Sequence, residues 1–448
     1  MIIQQLRLNN FRKFENQEFR FNDNFNVLIG DNASGKTQVL DAVSIILYSY
    51  LLDMEMKPGR HINKNDARIF STITNELVNT EEVYPIKLSA VIRFRDRNYD
   101  VCRELKKATG RTTWLEAQDI KLRGYWDLHN VRNGKEVTFP VLAYYGTGRL
   151  WHMKRHTEVE STVPRVNGYR NCLDPFSDHL DFQKWFIKQE HVALQKQIVI
   201  PALQAVRKAV KGMIPGCRNF YYDFQTEKII LEFEDEPYCP FSNLSDGFRN
   251  MTAMVADIAY RSSALNPQFG DSVLQSITGV VIIDEIDLHL HPTWQRSVVD
   301  DLKRTFPKIQ FIATTHSPFI IQSLGPGEVI DLNNINNREL NYVGGDYGTP
   351  APEAEYVNKS IEDIAENVMG VEDVQRSQRF TDMYEAAKKY YQLLDNATTA
   401  NAHELELIKK RLDELIAPFS DNVAYYAFLE MKREAAGLNE HNDDEGDK

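Results

Sequence analysis

Apolar residues are interspersed with polar ones from Ile2 to Leu8, and a second apolar run closes at Ile29. The chain therefore opens with two β-strands, Ile2 to Leu8 and Asn26 to Ile29, joined by the polar and aromatic stretch Asn9 to Glu15. From Gln38 to Tyr50 the apolar residues fall at helical spacing directly after a glycine-rich turn, which gives a strand, loop and helix in succession. Strand periodicity returns at Pro85 to Arg95, where Ile86, Leu88, Ala90, Ile92 and Phe94 alternate with more polar partners, and again at Phe139 to Tyr145. Between about 176 and 213 the spacing is helical, with a break or kink at Pro201. Asn219 to Phe224 and Lys228 to Glu234 predict a hairpin, and Phe241 to Arg261 a turn leading into an apolar helix. Gly279 to Ile283 is apolar on both faces, as a central parallel strand requires, and Ile309 to Thr314 repeats that pattern after an amphipathic helix at 293–305. Beyond Pro350 the chain reads as helical and charged to about residue 435, with a boundary expected in the turn-rich stretch 344–350.

This order predicts an α/β protein, a mixed sheet flanked by helices. The N-terminal part of its main lobe is 1–150, a helical lid insert 151–217, and the C-terminal part of the lobe 218–349. A helical region, 350–436, and an acidic disordered tail, 437–448, follow.

Composition narrows the class. A chain of 448 residues with 42% hydrophobic and 26% charged residues has material for more than one globular unit and excludes collagen-like or wholly disordered chains. The formal net charge of −12 sets the overall field against nucleic acid and anionic membrane, while leaving a local basic groove open. No long apolar run and no basic-then-apolar start occurs, so we expect a cytoplasmic protein without a membrane partner. Cys102, Cys172, Cys217 and Cys239 are dispersed and form no C-x-x-C pair, against both a disulfide framework and a cysteine zinc site.

Candidate chemistry begins at Gly30-Asp31-Asn32-Ala33-Ser34-Gly35-Lys36-Thr37, which fits G-x-x-x-x-G-K-[ST] between a strand and a helix. Glycines let the backbone close around a phosphate, and the amides of Asn32, Ala33, Ser34 and Gly35 supply donors at a helix N-terminus. Lys36 reaches the β- and γ-phosphates of ATP in such a loop, and Thr37 ligates Mg²⁺. The apolar strand Val280 to Ile283 ends in Asp284, suited to hold the metal, and Glu285, suited to orient or deprotonate a water.

Two further segments make the pattern resemble a family. Leu244-Ser245-Asp246-Gly247-Phe248-Arg249 precedes the acidic strand, and Thr314-Thr315-His316-Ser317-Pro318 follows the next one. Together with the loop, these resemble the ABC-type P-loop ATPases of the SMC, RecF and OLD group. The resemblance implies an ABC-type head and a homo-oligomer in which two ATP molecules are sandwiched, Ser245 and Gly247 of one copy meeting the γ-phosphate held by the other. It also implies that His316 senses the γ-phosphate and that Arg12, in Asn10-Phe11-Arg12, approaches the nucleotide. The signature departs from the transporter form by reading L-S-D-G-F. Tyr144 to Trp151 stands where a transporter has its glutamine loop. There Arg149 is read either as reaching phosphate or a partner carboxylate, or as a structural arginine in a turn. Trp151, His152, Lys154, Arg155 and His156 read as a solvated loop or as a nucleic-acid contact.

Too few residues separate Thr37 from Leu244 for a long coiled coil, and the C-terminal region lacks the strand-borne acidic cluster of OLD nucleases, so we expect no nuclease activity in the chain itself. The Phe182-x-x-Trp185-Phe186 insert, the segment Tyr145-Gly146-Thr147-Gly148-Arg149-Leu150-Trp151 and Asn367 to Val371 are similar to the PtuA-like ATPases of Septu and retron anti-phage systems. That resemblance implies an HNH nuclease partner of PtuB type, with a retron reverse transcriptase and its DNA as further candidates. The alternative is a RecF-like DNA-binding ATPase acting without a nuclease.

Overall fold

The computed structural model describes residues 1–54, 59–74, 77–114, 117–150, 165–176, 180–333, 359–370, 382–383, 385–390 and 402–416. The chain forms two compact units, Met1–Ile364 and Ala365–Lys448. The boundary expected at 344–350, the acidic tail and Trp151 to His156 all lie outside the described residues.

The first unit is built on two five-stranded sheets. One has the order β2–β1–β6–β7–β8, formed antiparallel by β1 (Ile2–Phe11), β2 (Phe14–Arg20), β6 (Ile86–Phe94), β7 (Arg97–Leu105) and β8 (Thr113–Trp114). The other is parallel, β15–β3–β14–β13–β9, from β3 (Phe25–Ile29), β9 (Val141–Tyr145), β13 (Gly279–Ile283), β14 (Ile309–Thr314) and β15 (Val329–Asp331). Helix α1 (Lys36–Leu51) makes contacts with both sheets and is apolar almost all round, as a helix enclosed between two layers must be. Across α1 lies α2 (Gln118–Arg132). The hairpin of β4 (Arg68–Thr74) and β5 (Leu77–Val83) stands as a separate two-stranded sheet.

A third sheet joins β10 (Cys217–Asp223), β11 (Lys228–Phe233) and β12 (Cys239–Pro240). Helices α3 (Leu180–Lys196) and α4 (Pro201–Met213) pack on β10, and α5 (Asp246–Leu265) packs on α4 and β9. Of these, α4 buries Leu203, Val206, Ala209 and Val210 against α5, β10 and α8 (Val298–Thr305). The short helices α7 (Pro292–Gln295) and α9 (Pro318–Gln322) link strands of the parallel sheet, α6 (Val273–Ser276) leads into β13, and α10 (Ile361–Asn367) follows β15 in the chain. In the second unit, α11 (Ala402–Ile416) buries Leu412.

The structure sharpens several readings. The stretch Asn9 to Glu15 is the tip of a β-hairpin rather than a connector, because Phe14 to Arg20 pairs antiparallel with β1 and buries Phe14 and Phe19 at its two ends. Of the break or kink expected at Pro201 the structure has the break: α3 ends at Lys196 and Pro201 opens α4 at the first position, where its missing N–H costs nothing. Within the segment 151–217, α4 packs against α5, β10 and α8. The helix expected at 293–305 is two pieces, α7 and α8.

Candidate nucleotide site

The register of the parallel sheet sets the site. Ile283 stands beside Ala313 and Tyr145, and Thr314 beside Leu28, so the loops that follow β3, β13 and β14 emerge together at the C-terminal edge. Ligands of open α/β sheets bind at that edge. Here the Gly30–Thr37 loop, Asp284 with Glu285, and Thr315 with His316 converge from distant parts of the sequence.

Gly35 has φ +101° at the N-cap of α1, a left-handed conformation open to glycine. A Cβ there would lie 2.7 Å from Phe14 Cζ and 2.8 Å from Lys13 Cδ, so the hairpin tip rests directly on the loop. Lys36 Nζ donates to the carbonyls of Gly30 (2.7 Å) and Asp31 (3.0 Å). Burial lowers the Lys36 pKa, opposed by the carboxylates of Asp284, Asp31, Glu285 and Asp287. Ser34 Oγ is buried and has no hydrogen-bond partner. A buried, unsatisfied hydroxyl beside a lysine that neutralises only loop carbonyls is a cradle suited to phosphate oxygens. Asn32 is exposed and Ala33 adopts φ 66°.

Thr37 Oγ1 donates to Asp284 Oδ2 (3.0 Å), and Thr314 Oγ1 donates to Asp284 Oδ1 (2.6 Å). A buried carboxylate and a hydroxyl form a hard oxygen donor set that fits Mg²⁺, which keeps waters and phosphate oxygens as its remaining ligands. Among the described residues no cluster of three or more His, Cys, Asp or Glu could hold a metal by protein groups alone. Glu285 has φ 50°, held by its N–H to Thr314 Oγ1 (2.7 Å), and such a left-handed residue costs about 1 kcal/mol or more. Asp287 accepts from Thr315 Oγ1 (2.5 Å) and from the His316 amide (3.4 Å), tying the His316 loop to the acidic strand, with His316 exposed.

Ser245 is exposed at the N-cap of α5, and Gly247 lies against the carbonyl of His289, where any Cβ would collide. The signature end of α5 thus seats on the 285–291 loop. Among the described residues no hydrogen bond links Ser245 or Gly247 to the Gly30–Thr37 loop of the same chain. Asp246 is ion-paired with Arg249 on the next turn.

Arg12 does not turn to the nucleotide loop. Its Nη1 donates to Asp41 (2.8 Å) and its Nε to Asp66 (2.9 Å). Burial lowers its pKa, but Asp41 and Asp66 outweigh this and raise it. The cation that reaches the loop is its neighbour Lys13, whose Nζ donates to the Ala33 carbonyl (3.0 Å). Sequence reasoning missed Lys13, Thr314 and Asp287. Only the hairpin pattern Phe11 to Phe14 could have signalled the first. Arg149 lies in a 3₁₀ turn, Thr147–Leu150, and its side chain is outside the described residues.

Residues 5–213 match the family model described as an AAA domain, and a second AAA-domain model matches 155–322. The chain is 22% identical over 394 residues to the Retron Vc95 probable ATPase of Vibrio cholerae serotype O1 biovar El Tor, covering 75% of this chain and 74% of that protein. It is 24% identical over 385 residues to the Septu protein PtuA of Bacillus thuringiensis, covering 83% and 85% respectively. Among solved structures, the SMC head domain from Thermotoga maritima aligns with 14% identity and a TM-score of 0.43, over 74% of this chain and 94% of that one. Among the described residues no helix is long and apolar enough to cross a membrane. With a P-loop, an acidic strand and a threonine–histidine loop converging on one sheet edge, the chain carries the motif set of a P-loop nucleotide site and is homologous to the retron probable ATPases and to Septu PtuA.

Proposed function

We propose that this protein binds ATP in the Gly30–Thr37 loop, hydrolyses it, and closes head to tail on a second copy to control an associated HNH nuclease in anti-phage defence. The observation that carries the catalytic part is Thr37 meeting Asp284 across 247 residues of sequence, beside the unpartnered Ser34 hydroxyl. Lys36 exchanges two carbonyls for the β- and γ-phosphates, a change from dipole to full charge that favours the nucleotide-bound state. Thr37 and Asp284 hold Mg²⁺, which when bound supplies neutralisation of phosphate charge. Glu285 orients the attacking water and takes its proton as the γ-phosphorus bond to the β–γ bridging oxygen breaks. His316 contacts the γ-phosphate, and Ser245 with Gly247 of the other copy supplies hydroxyl and amide donors at the N-terminus of α5. Cutting is assigned to the partner nuclease, with a reverse transcriptase and its DNA as further members where the locus encodes them. This assignment rests on the similarity to the retron and Septu ATPases.

Glu285→Gln tests the chemistry: phosphate release falls about 100-fold or more while an ATP-dependent dimer persists on size exclusion. Turnover at the parental rate overturns the role of Glu285. The assembly is tested by purifying the tagged protein from its own locus under mild salt and identifying stoichiometric companions by mass spectrometry. An HNH nuclease among them sustains the reading. Recovery alone, or with DNA only, transfers it to a RecF-like clamp.

A further inference from the structure

Helix α2 buries one face and exposes the other. Ile120, Gly124, Asp127 and Leu128 form the buried face, with Gly124 so close to the Tyr50 carbonyl of α1 that a side chain would collide. Asp127 is held there by Tyr50 Oη (2.8 Å) and Arg95 Nη1 (2.9 Å), which fixes the rotation of the helix. The opposite face carries Asp119, Leu122, Tyr125, Trp126, His129 and Arg132, all exposed and spaced three or four residues apart. Leu122 is 49% exposed, Tyr125 44% and Trp126 52%, an unusual concentration of large apolar groups on one helical stripe. The rings are already ordered on one another: Tyr125 and Trp126 meet edge to face at 5.5 Å, and His129 stacks on Tyr125 at 6.2 Å.

The stripe has a symmetry of its own. Leu122 and His129 lie at equal distances on either side of the Tyr125–Trp126 pair, and so do Asp119 and Arg132. Laid antiparallel on a copy of itself about a two-fold axis at that pair, the helix places its Tyr125 and Trp126 against the same pair of the other copy. Leu122 then faces the imidazole of His129, and the acidic end at Asp119 faces the basic end at Arg132, twice over. An isologous contact demands this self-complementarity, and a stripe built for an unlike partner does not. The aromatic centre with charged ends also has the anatomy of an interface core and rim. Asp119 in the first turn and Arg132 in the last each suit the dipole of their own helix, but the dipole explains neither the exposed rings nor their central placement.

We propose that this face of α2 is an interface on which a second copy of the chain docks antiparallel, separate from the nucleotide sandwich and formed without ATP. One helix pair covers less than the roughly 1,200 Å² of a standard stable interface, so the contact is a weak, concentration-dependent one. Combined with the sandwich, a second two-fold contact carries the assembly beyond a dimer.

The test is sedimentation of the full chain without nucleotide over a wide range of concentration. The wild type shows reversible self-association. Trp126→Asp weakens it by roughly thirtyfold or more, as loss of a central aromatic anchor does. Asp119→Arg alone and Arg132→Asp alone each weaken it, and the two substitutions together restore it. Because these positions are exposed, the thermal midpoint of each variant at low concentration stays at the wild-type value. A wild type that remains monomeric throughout, self-association unchanged by Trp126→Asp, or a double swap weaker than either single one overturns the proposal.

Discussion

Two carboxylates near the start of α1 meet opposite fates. Asp284 approaches Thr37 from β13 and accepts hydrogen bonds from the hydroxyls of Thr37 and Thr314. Asp41, one turn beyond Thr37 on the helix, accepts from Arg12 Nη1 at 2.8 Å and Arg60 Nη2 at 2.6 Å, with Tyr144 Oη at 3.4 Å. Hydroxyls orient a carboxylate but leave its charge standing, whereas paired guanidiniums cancel it. Asp284 is thus a hydroxyl-oriented carboxylate at the loop, whereas Asp41 closes a clamp that binds β1 and the 59–66 segment to α1. Proximity to the phosphate loop alone does not distinguish them. The identity of the donors does.

Replacing each of the two carboxylates breaks the comparison most sharply. Asp284→Asn lowers the rate of ATP hydrolysis by about 100-fold, the scale expected when one electrostatic stabiliser is lost, while the urea midpoint of the nucleotide-free protein stays near the wild-type value. Phosphate release and urea denaturation measured on the same preparation check both halves. Asp41→Ala reverses the pattern: it leaves Arg60 without its carboxylate and Arg12 with Asp66 only, and destabilises the fold by about 2 kcal/mol. Equal effects of both substitutions on both readouts remove the distinction between a clamp and a metal ligand.

The hairpin tip sharpens the contrast at neighbouring residues. Arg12 faces away from the loop into the clamp, and Lys13 faces the Ala33 carbonyl with its amide donating to Gln38 Oε1 at 3.3 Å. Lys13→Ala therefore weakens ATP binding about tenfold, the loss of one charge-assisted contact, at unchanged stability, and Lys13→Arg recovers most of it. Arg12→Ala lowers the stability of the nucleotide-free protein and leaves the ATP affinity unchanged. Fluorescent-nucleotide titration and thermal melts of both variants separate the roles, and an exchange of the two phenotypes refutes the assignment.

What the sequence made legible follows the same physical line. Lys36, Thr37, Asp284 and Glu285 were readable because phosphate loops and acidic strands are contiguous motifs whose neighbours dictate their geometry. The strands β13 and β14 were readable because burial on both faces writes an unbroken apolar run. The ion pairs of Arg12 were not legible because its partners, Asp41 and Asp66, lie 29 and 54 residues away, and a guanidinium is equally suited to a phosphate and to a carboxylate. β2 was hidden because Phe14 and Phe19 are separated by Glu15, Asn16, Gln17 and Glu18, a stretch poor in strand-forming residues. Ser245 and Gly247 were found by resemblance, and one chain by itself brings them no nearer to the loop they are expected to serve.

The smallest effect is the most specific to the phosphate loop. Burial lowers the pKa of Lys36 below that of an exposed lysine, with the surrounding carboxylates opposing the shift. Between the folded value and the ordinary lysine value, the unfolded chain binds more protons at this residue than the folded chain, so this residue's contribution to stability rises with pH across that window. ATP binding has the opposite sign there, because the loop needs the ammonium to meet phosphate and loses it as pH climbs. Lys36 therefore predicts two profiles that diverge on the alkaline side: ATP affinity falls while the stability difference between wild type and Lys36→Met shifts in favour of the wild type. Nucleotide titrations and urea midpoints across the alkaline range read both. Profiles that move together place the alkaline transition in some other group and leave Lys36 charged throughout.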